Sequence, residues 1–422
     1  PGVAVSKQTG RLFRKYFHRR TTVLVEDFSV STTSKLIVVF IYLPLLLNFH
    51  YFKDISRVLA YITLAVQMCL FMVEVRKTLH VKRQIVLPLS LLVILFMYSI
   101  ISAFGSWDPL YVFRLSCMVL VPAILLSIML GGDKSPYGTL LLLSRVQVFW
   151  GFVLSLVGVA LFFFGDLRLL EGQAVLMLQL GPIRLYQRVM GRPPLFRIAS
   201  LISNPNTLGM ILMFSQLFTV YLRMEMNWSN RKFAILYSFQ IAALFLTQSR
   251  SAVLGAALSL FFFYLLQSKR AVGKISILLA SVICGFFFYW AVYIEPLPMF
   301  SRFTGGITGR DLAWAVLRDR IQDHPFLGTG FGLSSQLLSS VDIAAHNVYL
   351  NVWAELGVFG LAVFLALWGL GILAAYKNRE GSLASRRSHS LVCAILLTLL
   401  FHQMFESKIM VYDHFMYLWV YL

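Results

Sequence analysis

Residues 346–360 read His-Asn-Val-Tyr-Leu-Asn-Val-Trp-Ala-Glu-Leu-Gly-Val-Phe-Gly. His346, Asn347, Asn351 and Glu355 are the polar groups at the start of an apolar run that carries no further charge until Lys377. Ionisable groups are costly inside a bilayer, so such a set points to function. On a helix, Asn347, Asn351 and Glu355 fall at i, i+4 and i+8 and form one polar stripe. His346 would stand at the mouth of that helix, with Glu355 about 13 Å deeper given a rise of 1.5 Å per residue. A neutral imidazole there can take a proton from a hydroxyl. The same residue types also suit a histidine capping a helix N-terminus, with Asn and Glu as hydrogen-bonding glue between helices.

Two further stretches carry usable chemistry. Thr247-Gln248-Ser249-Arg250-Ser251 reads as a tight turn with Arg250 at the start of the following helix. A cation there opposes the helix dipole, which suggests a specific anionic partner. Asn204-Pro205-Asn206 should break or kink the start of a membrane helix. Free backbone donors at such a helix start form an anion site, and a purely structural kink is the other reading. Arginine without lysine is the third signal. The segment 166–199 holds Arg168, Arg184, Arg188, Arg192 and Arg197, and the segment 295–345 holds Arg302, Arg310, Arg318 and Arg320; neither contains Lys. The guanidinium fork suits phosphate, and snorkelling to lipid headgroups is the alternative.

The elements that must position these residues are membrane helices. Of 422 residues, 59% are hydrophobic and 13% charged, against roughly a quarter charged in a soluble domain. Long, continuous apolar runs exclude alternating barrel strands and imply an all-α polytopic membrane protein with about twelve transmembrane helices. The expected spans centre on Lys35–Phe49, Val58–Val73, Ile85–Phe104, Tyr111–Leu130, Thr139–Phe164, Ser200–Leu222, Phe233–Thr247, Ala252–Gln267, Ile275–Tyr293, Asn347–Tyr376, His389–Met404 and Ile409–Leu422. The layout is therefore a basic arm over 1–34 and helices over 35–293 interrupted by the Arg-rich loop 166–199. An outer loop domain over 294–345 and final helices over 346–422 complete it.

Lys and Arg in the arm and in alternate short loops place both termini in the cytoplasm and His346 on the outer face. The formal net charge of +19 reads as topogenic charge and contact with anionic membrane lipids, not as nucleic-acid binding. Cys69, Cys117, Cys284 and Cys393 all sit in apolar runs, so neither a disulfide framework nor a metal site is expected. No cleavable signal sequence is expected, although the chain opens on Pro1 without Met. In the outer loop, 309–321 has helical spacing with Leu312, Val316, Leu317 and Ile321 on one face, ended by His324-Pro325. Gly328-Thr329-Gly330-Phe331-Gly332 reads as a flexible loop. It is not a nucleotide cradle, because no strand precedes it and no Lys-Ser/Thr follows.

Taken together and in order, five stretches resemble the O-antigen ligase and O-antigen polymerase superfamily of bacterial membrane glycosyltransferases. They are Asn204-Pro205-Asn206-x-Leu208-Gly209, Thr247-x-Ser249-Arg250, Gly309-Arg310-x-x-x-Trp314, His324-Pro325-x-x-Gly328-x-Gly330-x-Gly332, and His346-Asn347-x-x-Leu350-x-x-x-x-Glu355-Leu356-Gly357-x-x-Gly360. The resemblance covers about Arg197 to Gly360; the first five spans match only in hydropathy and number.

It implies transfer of a glycan from a polyprenyl (undecaprenyl) pyrophosphate carrier to an acceptor hydroxyl at the outer face of the bacterial inner membrane. Inversion and independence of metal or other cofactor are also implied. The acceptor would be a glycolipid such as lipid A-core for a ligase, or another carrier-linked glycan for a polymerase. The family's essential histidine maps onto His346 as general base, and its outer arginines onto Arg250, Arg197 and Arg310 as pyrophosphate ligands. Arg192 has no motif match and joins them on charge and position. Asn347, Asn351, Glu355, Asn204 and Asn206 are expected to support the site. Independently of the resemblance, preorganised arginines can neutralise a pyrophosphate leaving group, and the chain has no Asp-x-Asp pair for a divalent ion. A flippase for lipid-linked glycans is the competing class, but it should show repeats and several midplane charges. A non-catalytic assembly subunit is the third reading.

Overall fold

The computed structural model describes residues 31–49, 51, 55–75, 83–170, 172–191, 196–289, 310–341 and 344–406. In chain order these form α1 (Thr32–Tyr42) with a 3-10 turn (Leu43–Asn48), α2 (Ser56–Val75), α3 (Arg83–Phe104), α4 (Pro109–Gly132) and α5 (Pro136–Phe164). Four strands follow, β1 (Asp166–Leu170), β2 (Gln173–Leu180), β3 (Ile183–Met190) and β4 (Arg197–Ile198). Then come α6 (Pro205–Met226), α7 (Asn230–Thr247), α8 (Arg250–Gln267), α9 (Ala271–Tyr289), α10 (Arg310–Asp323), the single turn α11 (Ser334–Leu337), α12 (Val348–Lys377) and α13 (Leu383–His402).

Among the described residues seven helices, α3, α4, α5, α6, α8, α12 and α13, are long and apolar enough to cross a membrane. Shorter apolar helices cover Thr32–Leu45, Val58–Glu74 and Ala271–Phe286. The expected membrane bundle is therefore present. The twelfth expected span, Ile409–Leu422, and most of the basic arm lie outside the described residues.

α6 is the centre of the bundle, packed against α5, α7, α8 and α13. Its partners come close because small residues face it. A Cβ on Gly151 of α5 would stand 2.1 Å from Ser215 Oγ, and one on Gly255 of α8 would stand 2.3 Å from Met213 Sδ. Close approach through small residues is how helices gain packing where lipid offers no hydrophobic driving force between them. Buried polar groups tie the same helices together. Gln147 donates to Ile211 O at 2.9 Å and to Ser215 Oγ at 3.0 Å, and Tyr42 donates to Gln147 Oε1 at 2.6 Å.

Two segments differ from their sequence reading. The Arg-rich loop 166–199 is an antiparallel four-stranded meander, β1-β2-β3-β4. It is pinned to α5 by the buried Gln187, whose Nε2 donates to Gly158 O (3.0 Å) and whose Oε1 accepts from Ser200 N (3.0 Å). Alternation in a two-sided, partly exposed sheet is a weak signal beside helix periodicity, which is why the strands escaped notice. Because β4 and the turn after it occupy residues up to 204, α6 starts at Pro205 and not at Ser200. Asn204 is its N-cap, accepting from Asn206 N at 2.8 Å, and Pro205 takes the first helical position.

The other segment is 324–332, which is no flexible loop. α12 contains a break at Gly357 (φ 63°, ψ −172°), and the loop fills that break. Thr329 N and Gly330 N donate to the freed carbonyls of Ala354 (3.0 Å) and Glu355 (2.9 Å), and Val358 N donates back to Pro325 O at 2.9 Å. Phe331 is fully buried. Backbone groups at membrane depth must find partners inside the protein, and the glycine-rich stretch supplies them. α10 forms over the residues expected, but its buried face is Ala313, Leu317 and Ile321, while Leu312 is exposed.

Candidate active site

The starts of α6, α8 and α12 and the ends of α7 and α13 meet at one end of the bundle. β4 brings Arg197 to that end. Its Nε donates to Thr247 O (2.9 Å), the last residue of α7, and its Nη2 to Asn206 Oδ1 at 2.5 Å. Arginine thus satisfies a C-terminal helix carbonyl that has no partner within its own helix. Asn206, in the first turn of α6, passes the link on: its Nδ2 donates to Glu406 Oε1 at 2.9 Å.

Glu406 lies just beyond α13 and is the centre of the cluster. Its side chain is 1% exposed and its Oε2 stands 2.9 Å from His346 Nδ1. Arg310, the first residue of α10, brings Nη2 to within 3.9 Å of Glu406 Oε1 and donates through Nη1 to Phe405 O at 3.0 Å. An array of hydrogen bonds, extended to Arg310 by the 3.9 Å ion pair, therefore joins Arg197, Asn206, Glu406, His346 and Arg310, drawn from five separate places in the chain. Arg250 is the first residue of α8, three positions after the Thr247 carbonyl that Arg197 holds. Gly209 lets α6 and α8 approach here, since a Cβ on it would lie 2.8 Å from Ala252 Cβ and 3.0 Å from Ser249 Cβ.

The backbone around these side chains is unusual. Outside glycine, positive φ occurs among the described residues at Ser200 (54°), His346 (48°) and the helix C-caps Asn227 and Gln248. Of these, His346 is itself a site residue and Ser200 follows β4, which carries Arg197. Left-handed backbone at non-glycine residues costs free energy and persists where the surroundings impose it. At His346 those surroundings include Val348 N donating to Gln403 O at 3.0 Å, and Trp314 Nε1 donating to Ala345 O at 2.8 Å.

The remaining expected residues fall as follows. Asn347 is the N-cap of α12, its Oδ1 accepting from Tyr349 N (3.0 Å) and Leu350 N (3.1 Å). Glu355 is buried; it accepts from Ser334 Oγ at 2.5 Å and Ser334 N at 3.3 Å, so it anchors α11. Asn351 Oδ1 is buried without a hydrogen-bond partner. Asn204 serves the α6 cap described above. Arg192 lies outside the described residues. The polar stripe thus divides into a cap, an orphaned acceptor and an anchor for the neighbouring segment. Among the described residues no group of three His, Cys, Asp or Glu side chains converges as a metal site would require.

Glu406 is the residue that sequence reasoning missed. It follows an apolar helix within a Phe-Glu-Ser triplet, sixty positions from His346, and only the meeting of α12 and α13 brings the two together. The available signal was a lone carboxylate at the same membrane end as the histidine.

Comparison with known proteins bears on this end of the molecule. The family model described as O-antigen ligase matches residues 233–365. An O-antigen ligase of Pseudomonas aeruginosa is 26% identical over 138 residues, 32% of this chain and 32% of that protein. The chain thus spans about a third of the length of the curated relative it matches. The matched segment contains Arg250, Arg310, His346 and Glu355; Arg197, Asn206 and Glu406 come from outside it.

Proposed function

We propose that this chain transfers a glycan from a polyprenyl-pyrophosphate carrier to an acceptor hydroxyl at the outer face of the bacterial inner membrane. His346 is the general base. The observation that carries the reading is the 2.9 Å contact between His346 Nδ1 and the buried Glu406, set among arginines. An ionised carboxylate only accepts, so the proton of this contact sits on Nδ1 and Nε2 is left as the basic nitrogen. Nε2 takes the proton of the acceptor hydroxyl as its oxygen attacks the anomeric carbon. The bond from that carbon to the pyrophosphate oxygen breaks, and the carrier pyrophosphate leaves with the electron pair. A single displacement of this kind inverts the anomeric centre. Arg197 and Arg310, held by their hydrogen bonds, and Arg250 at the start of α8 supply the positive charge that receives the developing charge of the leaving group. Base catalysis of this type is worth about 10² to 10⁴-fold.

The test uses purified protein in lipid nanodiscs with an undecaprenyl-pyrophosphate-linked glycan as donor and lipid A-core as acceptor. We expect a new glycosidic bond, lost on the order of 10²-fold or more in His346→Ala and in Arg250→Ala. A folded His346→Ala chain that keeps wild-type turnover overturns the base assignment. The product also separates the alternatives: one glycan on the lipid acceptor marks a ligase, and a ladder of repeat units on the carrier marks a polymerase. Movement of the lipid-linked glycan across vesicles with no new bond marks a flippase.

A further inference from the structure

A second site lies at the same end of the molecule but contains neither His346 nor the arginines. It is an open cleft of about 630 Å3 lined by Trp107, Ser335, Gln336, Leu337 and Ser339, a volume typical of small-ligand sites. Trp107 sits in the turn between α3 and α4 and is 52% exposed. Its Nε1 donates to Gln336 Oε1 at 2.9 Å, and Gln336 Nε2 donates to Asp108 Oδ2 at 3.3 Å. Asp108 is itself fixed as the N-cap of α4, accepting from Tyr111 N at 3.1 Å. The Tyr111 and Ser335 hydroxyls meet at 3.3 Å. The indole is therefore held by its N–H edge, and no ring or cation packs on its face among the described residues.

The chemistry of the lining selects the ligand. None of the five residues is charged, so the cleft offers nothing to balance a phosphate. Its walls mix two hydroxyls and one amide with Leu337 and one flat aromatic face, so an acyl chain would cover the polar groups without pairing them. A sugar ring matches both parts: one face of C–H bonds lies against the electron-rich face of an indole, and its rim of hydroxyls can donate to the Ser335 and Ser339 oxygens, whose own protons go to Gly332 O (3.0 Å) and Gln336 O (2.6 Å). A tryptophan of the membrane interface belt would keep its N–H for water or headgroups; this one is committed to the protein.

We propose that the cleft is a glycan subsite, in which a sugar residue stacks on Trp107, held in place by Gln336, and donates hydroxyl hydrogen bonds to Ser335 and Ser339. It is mechanically joined to the candidate active site. Ser334 is held by Glu355 of α12, and Leu338, one turn further on, shares a small core with Ala345, the neighbour of His346. The presence of a glycan here rests on the function proposed above, and the subsite would grip the chain of sugars beyond the reacting unit.

The test measures binding and transfer separately, on the full chain in nanodiscs. The binding probe is the water-soluble oligosaccharide released by mild acid from the carrier-linked glycan, followed by saturation-transfer NMR. We expect saturable binding weakened at least tenfold in Trp107→Ala and largely kept in Trp107→Phe, which retains a flat face. In the transfer assay Trp107→Ala should raise KM for the glycan substrate while kcat stays within a few-fold. Ser339→Trp, which fills the cleft from its exposed wall, should block the oligosaccharide and covers the case in which Trp107→Ala does not fold. Absence of binding to the wild-type chain, or unchanged binding in a folded Trp107→Ala or Ser339→Trp chain, overturns the subsite. Wild-type protein that binds the oligosaccharide at Trp107 yet forms no glycosidic bond overturns the proposed reaction and leaves the subsite standing.

Discussion

Glu406 meets Asn206, His346 and Arg310 from a position 1% exposed, and a buried carboxylate is tolerated only with partners of this kind. Its contact with Nδ1 decides which imidazole nitrogen is basic, so a change of donor and acceptor roles should be felt in the rate before it is felt in the fold. Glu406→Gln keeps the shape but can turn an amide N–H toward Nδ1, which would move the ring proton to Nε2, where it blocks the acceptor. We expect transfer to fall on the order of 10² to 10⁴-fold, with the melting temperature little changed, and Glu406→Asp to restore part of it. The ring 15N shifts of His346 should report the exchanged tautomer. Wild-type turnover in Glu406→Gln would remove Glu406 from the mechanism. At this scale the sequence was half legible. His346, Arg197, Arg250 and Arg310 stand out as polar residues in apolar or lysine-free surroundings. Glu406 and the bridging role of Asn206 depend on contacts across 60 and 200 positions, which spacing alone does not encode.

The broken helix α12 shows how an element converts sequence pattern into geometry. Hydropathy reads the run from Asn347 to Tyr376 as one continuous span, and it is continuous in apolarity. The break at Gly357 is written in the glycines: its φ of 63° with ψ of −172° lies in a region open essentially to glycine alone. Gly328 (φ 70°) faces it across the joint. A Cβ on Gly357 would stand 2.0 Å from Phe326 O, and one on Gly328 would stand 2.3 Å from Glu355 C. Gly357→Ala and Gly328→Ala should therefore each destabilise the protein by about 1–3 kcal/mol from backbone strain alone, with the clash added. Because both disrupt the same joint, the double variant should lose less than the sum. Gly369→Ala, in the same helix with nothing within 4 Å of its Cβ, should be neutral or slightly stabilising. Melting temperatures in detergent check all four. Equal effects at Gly357 and Gly369 would mean that the joint contributes nothing to stability. The His-Pro-x-x-Gly-x-Gly-x-Gly stretch was thus visible as a motif, while its role was not, since a loop that plugs a helix break looks in sequence like any glycine-rich connection.

Across the whole molecule the two ends of the bundle differ in kind. At one end α5, α6, α8, α12 and α13 are tied by Tyr137 to Glu225 (2.6 Å), Arg387 to Glu225 (3.2 Å), Tyr221 to Ser388 (3.0 Å) and Arg379 to Leu266 O (3.4 Å). That end carries Arg223, Arg231, Lys232, Lys269, Arg270, Lys274, Lys377, Arg386 and Arg387. The other end holds the sheet, α10 and the His346 cluster, with arginine but almost no lysine. Lys and Arg in short connections are retained on the cytoplasmic side, whereas longer segments cross regardless of charge. The fold therefore predicts that the sheet faces outward and the α8–α9 turn inward. The helical membrane bundle and the order of its described spans were readable from hydropathy because lipid imposes that pattern on every span. The small sheet was not, because a meander resting on α5 has one exposed face and one mixed face. Single cysteines at the exposed positions Gln179 in β2 and Lys269 after α8 test the orientation. They are placed in a chain whose free cysteines Cys69, Cys117, Cys284 and Cys393 are replaced by alanine. In cells with a permeabilised outer membrane, a membrane-impermeant maleimide should label Gln179→Cys at once and Lys269→Cys only after the inner membrane is lysed. The reverse order would put His346 in the cytoplasm, out of reach of an outward-facing carrier glycan, and would overturn both the topology and the reaction proposed on it.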